Sequence, residues 1–145
     1  MSIIKRSADK DKIWFQANIQ LILNLYPDRL VEYDDEEYTW FRIVYWDLPS
    51  GWNPQQSSLL IKTPGLKGGI EVPPYGFYLS KYLHKVNGKA INYYFQSVSI
   101  NDLTDQGYAY YCLHPIDKYW KPSRDVFNGS TYIDAIDFIY EALSL

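Results

Sequence analysis

The chain has 145 residues, 47% of them hydrophobic, which is enough to bury a core without metal ions or disulfide bonds. Its formal net charge of −3, from fourteen basic and seventeen acidic residues, argues against a nucleic-acid-binding protein, because phosphate recognition needs concentrated positive charge. A single cysteine, no apolar run in Met1–Lys12 and no stretch long enough to cross a membrane predict a cytoplasmic protein. We expect one domain spanning residues 1–145.

The first predicted element is a helix from Asp9 to Tyr26. Apolar residues recur there at spacings of four, which is typical of one buried helix face, and Pro27 would end the helix. That face consists of Ile13, Ala17, Leu21 and Leu25, with Trp14 and Ile22 beside it. Phe15, Ile19 and Leu23 lie elsewhere on the helical wheel, so we expect the helix to be either well buried or packed against a partner.

The acidic run Glu32–Glu37 follows, and its composition predicts a solvated loop without a function. The next stretch, Thr39–Trp46, alternates as a strand does, with Phe41, Ile43 and Tyr45 on one face. Turn residues separate it from the following strand, so the two are expected to pair antiparallel. The four predicted strands are Thr39–Trp46, Ser57–Lys62, Phe77–Leu79 and Ala90–Val98, and the stretch Tyr108–Leu113 follows them.

The final helix has the clearest pattern. Apolar residues repeat at spacings of three and four from Tyr132 to Leu143, and Thr131 with Asp134 resembles a capping box. The fold class is therefore α+β, with an N-terminal helix, an antiparallel four-stranded meander, a long irregular segment and a C-terminal helix. We expect no cofactor, because the Lys67-Gly68-Gly69 stretch lacks the ending of a phosphate loop.

The stretch Gly107–Asp125, whose part His114–Asp125 is predicted to be irregular, contains the only cysteine, Cys112, with His114 two positions later. A thiol beside an imidazole is suited to nucleophilic chemistry, since the imidazole can help to ionise the thiol. The alternative is structural: a cysteine flanked by Tyr111 and Leu113 can simply be a small buried core residue.

Several motifs in chain order resemble the ubiquitin-conjugating enzyme (UBC) fold. They are the Pro-Pro pair and aromatic strand in Val72–Tyr78, the Cys112-Leu113 pair, and Trp120-Lys121-Pro122 where the family has Trp-Ser-Pro. A closer similarity is to the prokaryotic branch called family E, through Leu48–Asn53, Leu59–Lys62, Gly76–Tyr78, His114, Trp120–Pro122 and Asp125. Two departures matter: the family's His-Pro-Asn before the cysteine is missing, and family E often has another polar residue, such as serine, at the position of Cys112.

The resemblance implies a bacterial enzyme that accepts a ubiquitin-like protein from an activating-enzyme homologue and passes it to an amine. A metallopeptidase from the same system is a further implied partner. Cys112 would carry the acyl group with help from His114, and we expect both to face one cleft because residues two apart on a strand point to the same side. The other candidate residues are Asp117 or Asp125 as the base, Asn101 as the oxyanion donor, and Trp120 and Pro122 as the frame of the site.

Two other functions remain open at the level of sequence. A catalytically inactive UBC-fold domain could bind or scaffold a ubiquitin-like protein or its activating enzyme. An unrelated small-molecule or sugar-binding module has only the aromatic content of fifteen Tyr, five Trp and six Phe in its favour.

Overall fold

A computed structural model describes the backbone of residues 3–88, 97–98 and 102–144, and the side chains of residues 10–88, 102–113 and 115–144. The helices are α1 (Ile3–Leu25), α2 (Gly65–Gly68, a single turn) and α3 (Tyr132–Leu143). The strands are β1 (Val31–Tyr33), β2 (Trp40–Asp47), β3 (Trp52–Asn53), β4 (Gln56–Lys62), β5 (Gly76–Ser80), β6 (His84–Lys85), β7 (Ser97–Val98) and β8 (Tyr108–Cys112). Within these ranges no helix is both long enough and apolar enough to cross a membrane.

Within the described residues the main sheet has six strands in the order β1-β2-β4-β5-β8-β7, and all neighbouring pairs are antiparallel. The predicted α+β fold, with an N-terminal helix, an antiparallel sheet and a C-terminal helix, is confirmed. The predicted number of four strands is wrong, because the described residues add β1 and β8 to the sheet. Strand β1 lies partly inside the acidic run, and of the predicted strand Ala90–Val98 only Ser97–Val98 falls within the described residues.

Helix α1 buries a different face from the predicted one. Ile13 and Leu25 are 66% and 50% exposed, whereas the large side chains of Trp14, Phe15 and Ile22 are fully buried. The aromatic residues decide the orientation because each buries more apolar area than the aliphatic side chains of the predicted row. The adjacent Trp14 and Phe15 therefore determine which face of α1 is buried, and the row of apolar residues at spacings of four does not.

A β-bulge changes the alternation of β2. The pairing of β2 with β4 shifts register between Ile43 and Trp46, and bulges re-aim the side chains that follow them. Trp46 is consequently buried with Phe41 and Ile43, whereas Tyr45, which the alternation places on their face, is 58% exposed. A regular period of two does not reveal the extra residue.

The sheet carries side-chain clusters on both faces. One face packs against α1 and α3 and forms the main core, to which Phe77 and Tyr111 contribute. The opposite face, here called the outer face, carries a smaller cluster built around Leu60, Tyr78 and Tyr108. Because side chains alternate along each strand, consecutive residues of β8 point alternately to the main core and to the outer face.

Helix α3 and its capping box are as the sequence predicts. Thr131 N donates to Asp134 Oδ2 (2.8 Å), and both halves of the capping box are present. The fully buried Asn18 of α1 adds a long-range cap, since its Oδ1 accepts from Tyr132 N (2.8 Å) while its Nδ2 donates to Trp14 O (3.1 Å). The bond to Tyr132 joins the two helices at the start of α3, and the bond to Trp14 holds the Asn18 side chain in place within α1.

Two carboxylates of the acidic run make specific contacts, so the run is not only a solvated loop. Glu32 accepts from Arg42 Nε (3.0 Å) on the neighbouring strand. Asp34 accepts from Thr39 Oγ1 (2.6 Å) and from the backbone N–H groups of Glu36, Glu37 and Thr39. Asp34 therefore closes the turn that leads into β2.

Replacing Asp34 with alanine should lower the free energy of unfolding at pH 7 by about 1–2 kcal/mol, after allowing for solvent screening of this partly exposed site. Burial acts to raise the pKa of Asp34, but the hydrogen bonds from Thr39 and the backbone outweigh it and lower the pKa from 3.8 to about 2. A depressed folded-state pKa stabilises the fold above the unfolded pKa and loses that contribution as the pH falls towards the folded value. Urea denaturation should therefore show the difference between wild type and Asp34→Ala narrowing from pH 6 to pH 2.5, whereas exposed Asp35→Asn should show little difference at any pH.

Candidate active site

Cys112 is the last residue of β8 and is half-buried. It is opposite Gly76 in the register between β5 and β8, and Gly76 is in turn opposite Lys62 on β4. Lys62 pairs with Trp40 on β2. Since Tyr110 packs on the outer face and Tyr111 in the main core, alternation places Cys112 on the outer face. Trp40, Lys62, Gly76 and Cys112 thus form one row across four strands, here called the thiol row.

Gly76 leaves a gap in the thiol row that the ring of Tyr110 fills. A Cβ atom at Gly76 would overlap the hydroxyl and ring carbons of Tyr110. The backbone of Gly76 is not in the positive-φ region, so glycine is needed here for space rather than for conformational freedom. The phenol of Tyr110 is therefore held over the glycine that neighbours Cys112.

Tyr110 offers a neutral hydroxyl on the same face as the thiol. Burial raises the pKa of this phenol, and electrostatic interactions with Cys112, Tyr75 and Asp102 raise it further. Among the residues that the structure describes, its Oη makes one hydrogen bond, a long one of 3.5 Å, to the carbonyl oxygen of Tyr75. The O–H group is thus protonated at neutral pH and, within that part of the chain, weakly engaged, as a donor to a developing negative charge should be.

The prediction that Cys112 and His114 face one cleft relied on an extended strand through Leu113, and that premise is wrong. Strand β8 ends at Cys112, Leu113 has φ −116° and ψ 24°, and His114 begins a 3₁₀ turn that runs to Lys118. The rule that residues two apart share a side does not apply across such a turn. The side chain of His114 and the whole of Asn101 lie outside the described residues, so their predicted roles stay predictions.

The segment after the cysteine, residues 113–131, is held to the protein by long-range contacts. Leu113 is fully buried and its N–H donates to Tyr75 O (3.1 Å). Trp120 is buried, donates from Nε1 to Ile70 O (2.9 Å), and stacks on Tyr132 with ring centroids 6.0 Å apart. Trp14 Nε1 donates to Ser123 O (2.8 Å). These contacts fix the position of the chain immediately after the thiol.

The remaining predicted residues lie on or near the surface of the same segment. Asp117 is exposed in the 3₁₀ turn, and Pro122 is half-buried. Asp125 caps the 3₁₀ turn Val126–Asn128 by accepting from Phe127 N (3.0 Å) and from Asn128 Nδ2 (2.9 Å). We therefore assign the Asp125 carboxylate to capping.

Next to Asp125, Arg124 contributes an ion pair that the sequence analysis did not single out. Its Nη1 lies 2.6 Å from Oδ1 of Asp11, without hydrogen-bond geometry. Asp11 belongs to α1 and is largely buried, whereas Arg124 is half-exposed. The pair adds a further attachment of residues 113–131 to the first helix.

A cavity of about 280 Å³ opens on the outer face next to the thiol row. It is lined by Trp40, Arg42, Leu60, Lys62, Leu103, Gln106 and Tyr108. Lys62 Nζ lies 5.9 Å from the ring centroid of Tyr78, and the Tyr78 hydroxyl donates to Asp102 Oδ1 (2.6 Å). The cavity therefore combines aromatic surface with two basic side chains.

The sequence analysis missed Gly76, Tyr110 and Lys62 as neighbours of the cysteine. The alternation of Tyr108, Tyr110 and Cys112 could have shown that Tyr110 shares a face with the thiol. The register that brings Gly76 and Lys62 into the row is set by pairing between distant strands, which no local pattern reports.

Comparison of the chain with protein-family models, with curated protein sequences and with solved structures finds no match in any of the three. The functional assignment consequently depends on the residues and their geometry.

Proposed function

We propose that this protein is a UBC-fold conjugating enzyme that carries a ubiquitin-like protein as a thioester on Cys112 and transfers it to an amine. The observation that carries the proposal is the position of Cys112, which ends a central strand, is only half-buried, and lies beside a glycine. A structural core cysteine is normally fully buried. The order of the Pro-Pro, Cys-Leu and Trp-Lys-Pro motifs along the α+β fold supports the same interpretation.

The proposed reaction has two acyl-transfer steps. First, Cys112 Sγ attacks the thioester carbonyl of the ubiquitin-like protein; a new C–S bond forms, the bond to the activating enzyme breaks, and that enzyme's thiol leaves with the proton given up by Cys112. Then an amine attacks the same carbonyl, the C–N bond forms, and Cys112 leaves and recovers a proton from the amine. In the proposed mechanism the Tyr110 hydroxyl, which lies on the same sheet face as the thiol, donates to the carbonyl oxygen as it becomes negative in both steps.

The proposed partners are those that the family resemblance implies. They are a ubiquitin-like protein, an activating-enzyme homologue and a metallopeptidase from the same system. An activated acyl group must be supplied by the activating enzyme, because the thiol alone cannot activate a carboxylate.

A second candidate function is a catalytically inactive domain that binds the same partners. The cavity on the outer face favours it, because an aromatic surface with Arg42 and Lys62 can bind a partner without any chemistry at the thiol.

The two functions are separated by incubating the protein with the activating enzyme and ubiquitin-like protein of its own system and ATP, followed by a non-reducing gel. The proposal expects an adduct that thiol reductant removes and that Cys112→Ala lacks entirely. An adduct that resists reductant but is cleaved by hydroxylamine would exclude Cys112 as the carrier. Binding without any adduct would favour the inactive domain.

A further inference from the structure

A second cavity, of about 320 Å³, lies at the far end of β2 from the thiol row. It is lined by Leu25, Tyr26, Trp46, Asp47, Ile136, Asp137 and Tyr140, from the end of α1, the end of β2 and one face of α3. Trp40, in the thiol row, and Asp47 are at opposite ends of β2, so at the usual rise per residue the two sites are about 20 Å apart. The cavity is therefore separate from the candidate active site.

Aromatic rings form much of the cavity wall. Trp46 and Tyr140 meet edge to face, with centroids 6.0 Å apart and planes at 84°. Trp46 Nε1 donates to the hydroxyl of Tyr26 (3.3 Å), and this hydrogen bond holds the Tyr26 ring next to the Trp46 ring. The faces of such rings attract cations, and several rings around one cavity form a site for an ammonium group.

The charges around the cavity are unbalanced. Asp47 is paired, with Arg29 Nη2 at 3.0 Å and Gln56 Nε2 at 2.7 Å. Asp137, in contrast, has no basic partner among the side chains that the structure describes. Burial raises the pKa of Asp137, and the charges of Asp134 and Glu141 on the same helix raise it further.

The negative charges around the cavity also affect the pKa of the Tyr26 phenol. Burial raises its pKa, the hydrogen bond from Trp46 opposes the rise, and the charges of Asp137 and Asp47 add to it. Asp137 is exposed, so its carboxylate is accessible from solvent to a bound cation. A bound cation would relieve the repulsion without having to break an existing ion pair of Asp137.

We propose that this cavity, lined by Tyr26, Trp46 and Tyr140 and by the carboxylate of Asp137, binds a protonated alkylammonium group. The group has two possible sources, the side chain of a lysine on a protein partner or a free aliphatic amine. An ammonium group on a four-carbon stem fits both the rings and the carboxylate of the cavity. The stem packs on the rings, and the charge reaches the carboxylate. The inference does not depend on Cys112 or on the proposed conjugation reaction.

The test is a titration of the intact protein with N-acetyl-lysine N-methylamide, followed by the indole N–H signals in ¹H–¹⁵N NMR spectra. Trp46→Phe identifies the Trp46 signal. That signal should move in a saturable way, whereas the signals of Trp14 and Trp120, whose N–H groups are bonded to carbonyl oxygens elsewhere, should stay in place. The norleucine analogue, which has the stem but no charge, should leave the Trp46 signal unmoved. Movement of equal size with norleucine would overturn the proposal.

Asp137→Asn should weaken binding of the lysine probe at least about fivefold, the size of one lost charge-assisted contact. A raised pKa of the folded-state carboxyl means that ionised Asp137 destabilises the fold at neutral pH, so the asparagine variant should be at least as stable as wild type. Asp35→Asn, which removes an exposed acid elsewhere, should leave binding unchanged. Unchanged affinity in Asp137→Asn would contradict the proposal.

Butylamine that binds as tightly as the lysine probe would identify a free amine as the source, and clearly weaker binding would identify a protein lysine.

Discussion

Replacing Trp120 with alanine should lower the free energy of unfolding by about 3–5 kcal/mol, the usual cost of removing a buried tryptophan side chain. Trp120 is 8% exposed, stacks on Tyr132 and meets Trp14 edge to face with centroids 6.3 Å apart. The alanine variant also leaves the carbonyl oxygen of Ile70 without its indole donor. Urea denaturation followed by circular dichroism would measure the loss directly.

Two variants separate the contributions at this position. Trp120→Phe keeps a ring on Tyr132 but removes the N–H donor, and should cost about 1–3 kcal/mol. Phe127→Ala removes an aromatic ring from the same segment, but this ring is 84% exposed, so the change should be below about 0.5 kcal/mol. If Trp120→Ala were as mild as Phe127→Ala, residues 113–131 would not be held by Trp120, and the position of the chain after Cys112 would need another cause.

The elements that could be predicted from the sequence are those whose local signals agree. Helix α3 has an apolar period, a capping box and acids on the opposite face, and all three describe the same helix. Strand β1 could not be predicted, because three residues with a glutamate at the centre show no apolar pattern. The bulge in β2 could not be predicted either, since its effect on Tyr45 and Trp46 arises from pairing with β4.

The candidate site follows the same division. Cys112 was identified from the sequence, because a single thiol in a recognisable motif is a local feature. Tyr110 and Gly76 come together only through the register of β5 against β8, and the extended backbone assumed between Cys112 and His114 is wrong because one residue, Leu113, leaves that conformation. Strand register and single backbone turns determine which side chains are neighbours in the site. Neither can be predicted from the spacing of residues along the chain.

Replacing Gly76 with alanine should destabilise the protein by about 1–3 kcal/mol, the usual cost of overpacking. At an ordinary strand position the same change would be neutral or stabilising, because alanine restricts the unfolded chain more than glycine does. Here the new methyl group would occupy the place of the Tyr110 ring, which also packs on Tyr78 with centroids 5.0 Å apart. The ring would have to leave its position beside Cys112, so acyl transfer by the thiol should also slow.

A double-mutant cycle tests whether Tyr110 is the cause. In a Tyr110→Ala background Gly76→Ala should become neutral or stabilising by up to about 1 kcal/mol, because the overlapping ring is gone. Tyr110→Phe keeps the ring, so in that background Gly76→Ala should cost as much as in wild type. Tyr110→Phe alone should change stability little, because the lost hydrogen bond is long, yet it should slow acyl transfer from Cys112 by about tenfold or more if the hydroxyl stabilises the oxyanion. Equal costs of Gly76→Ala in the alanine and phenylalanine backgrounds would show that the glycine is required for a reason other than the tyrosine above it.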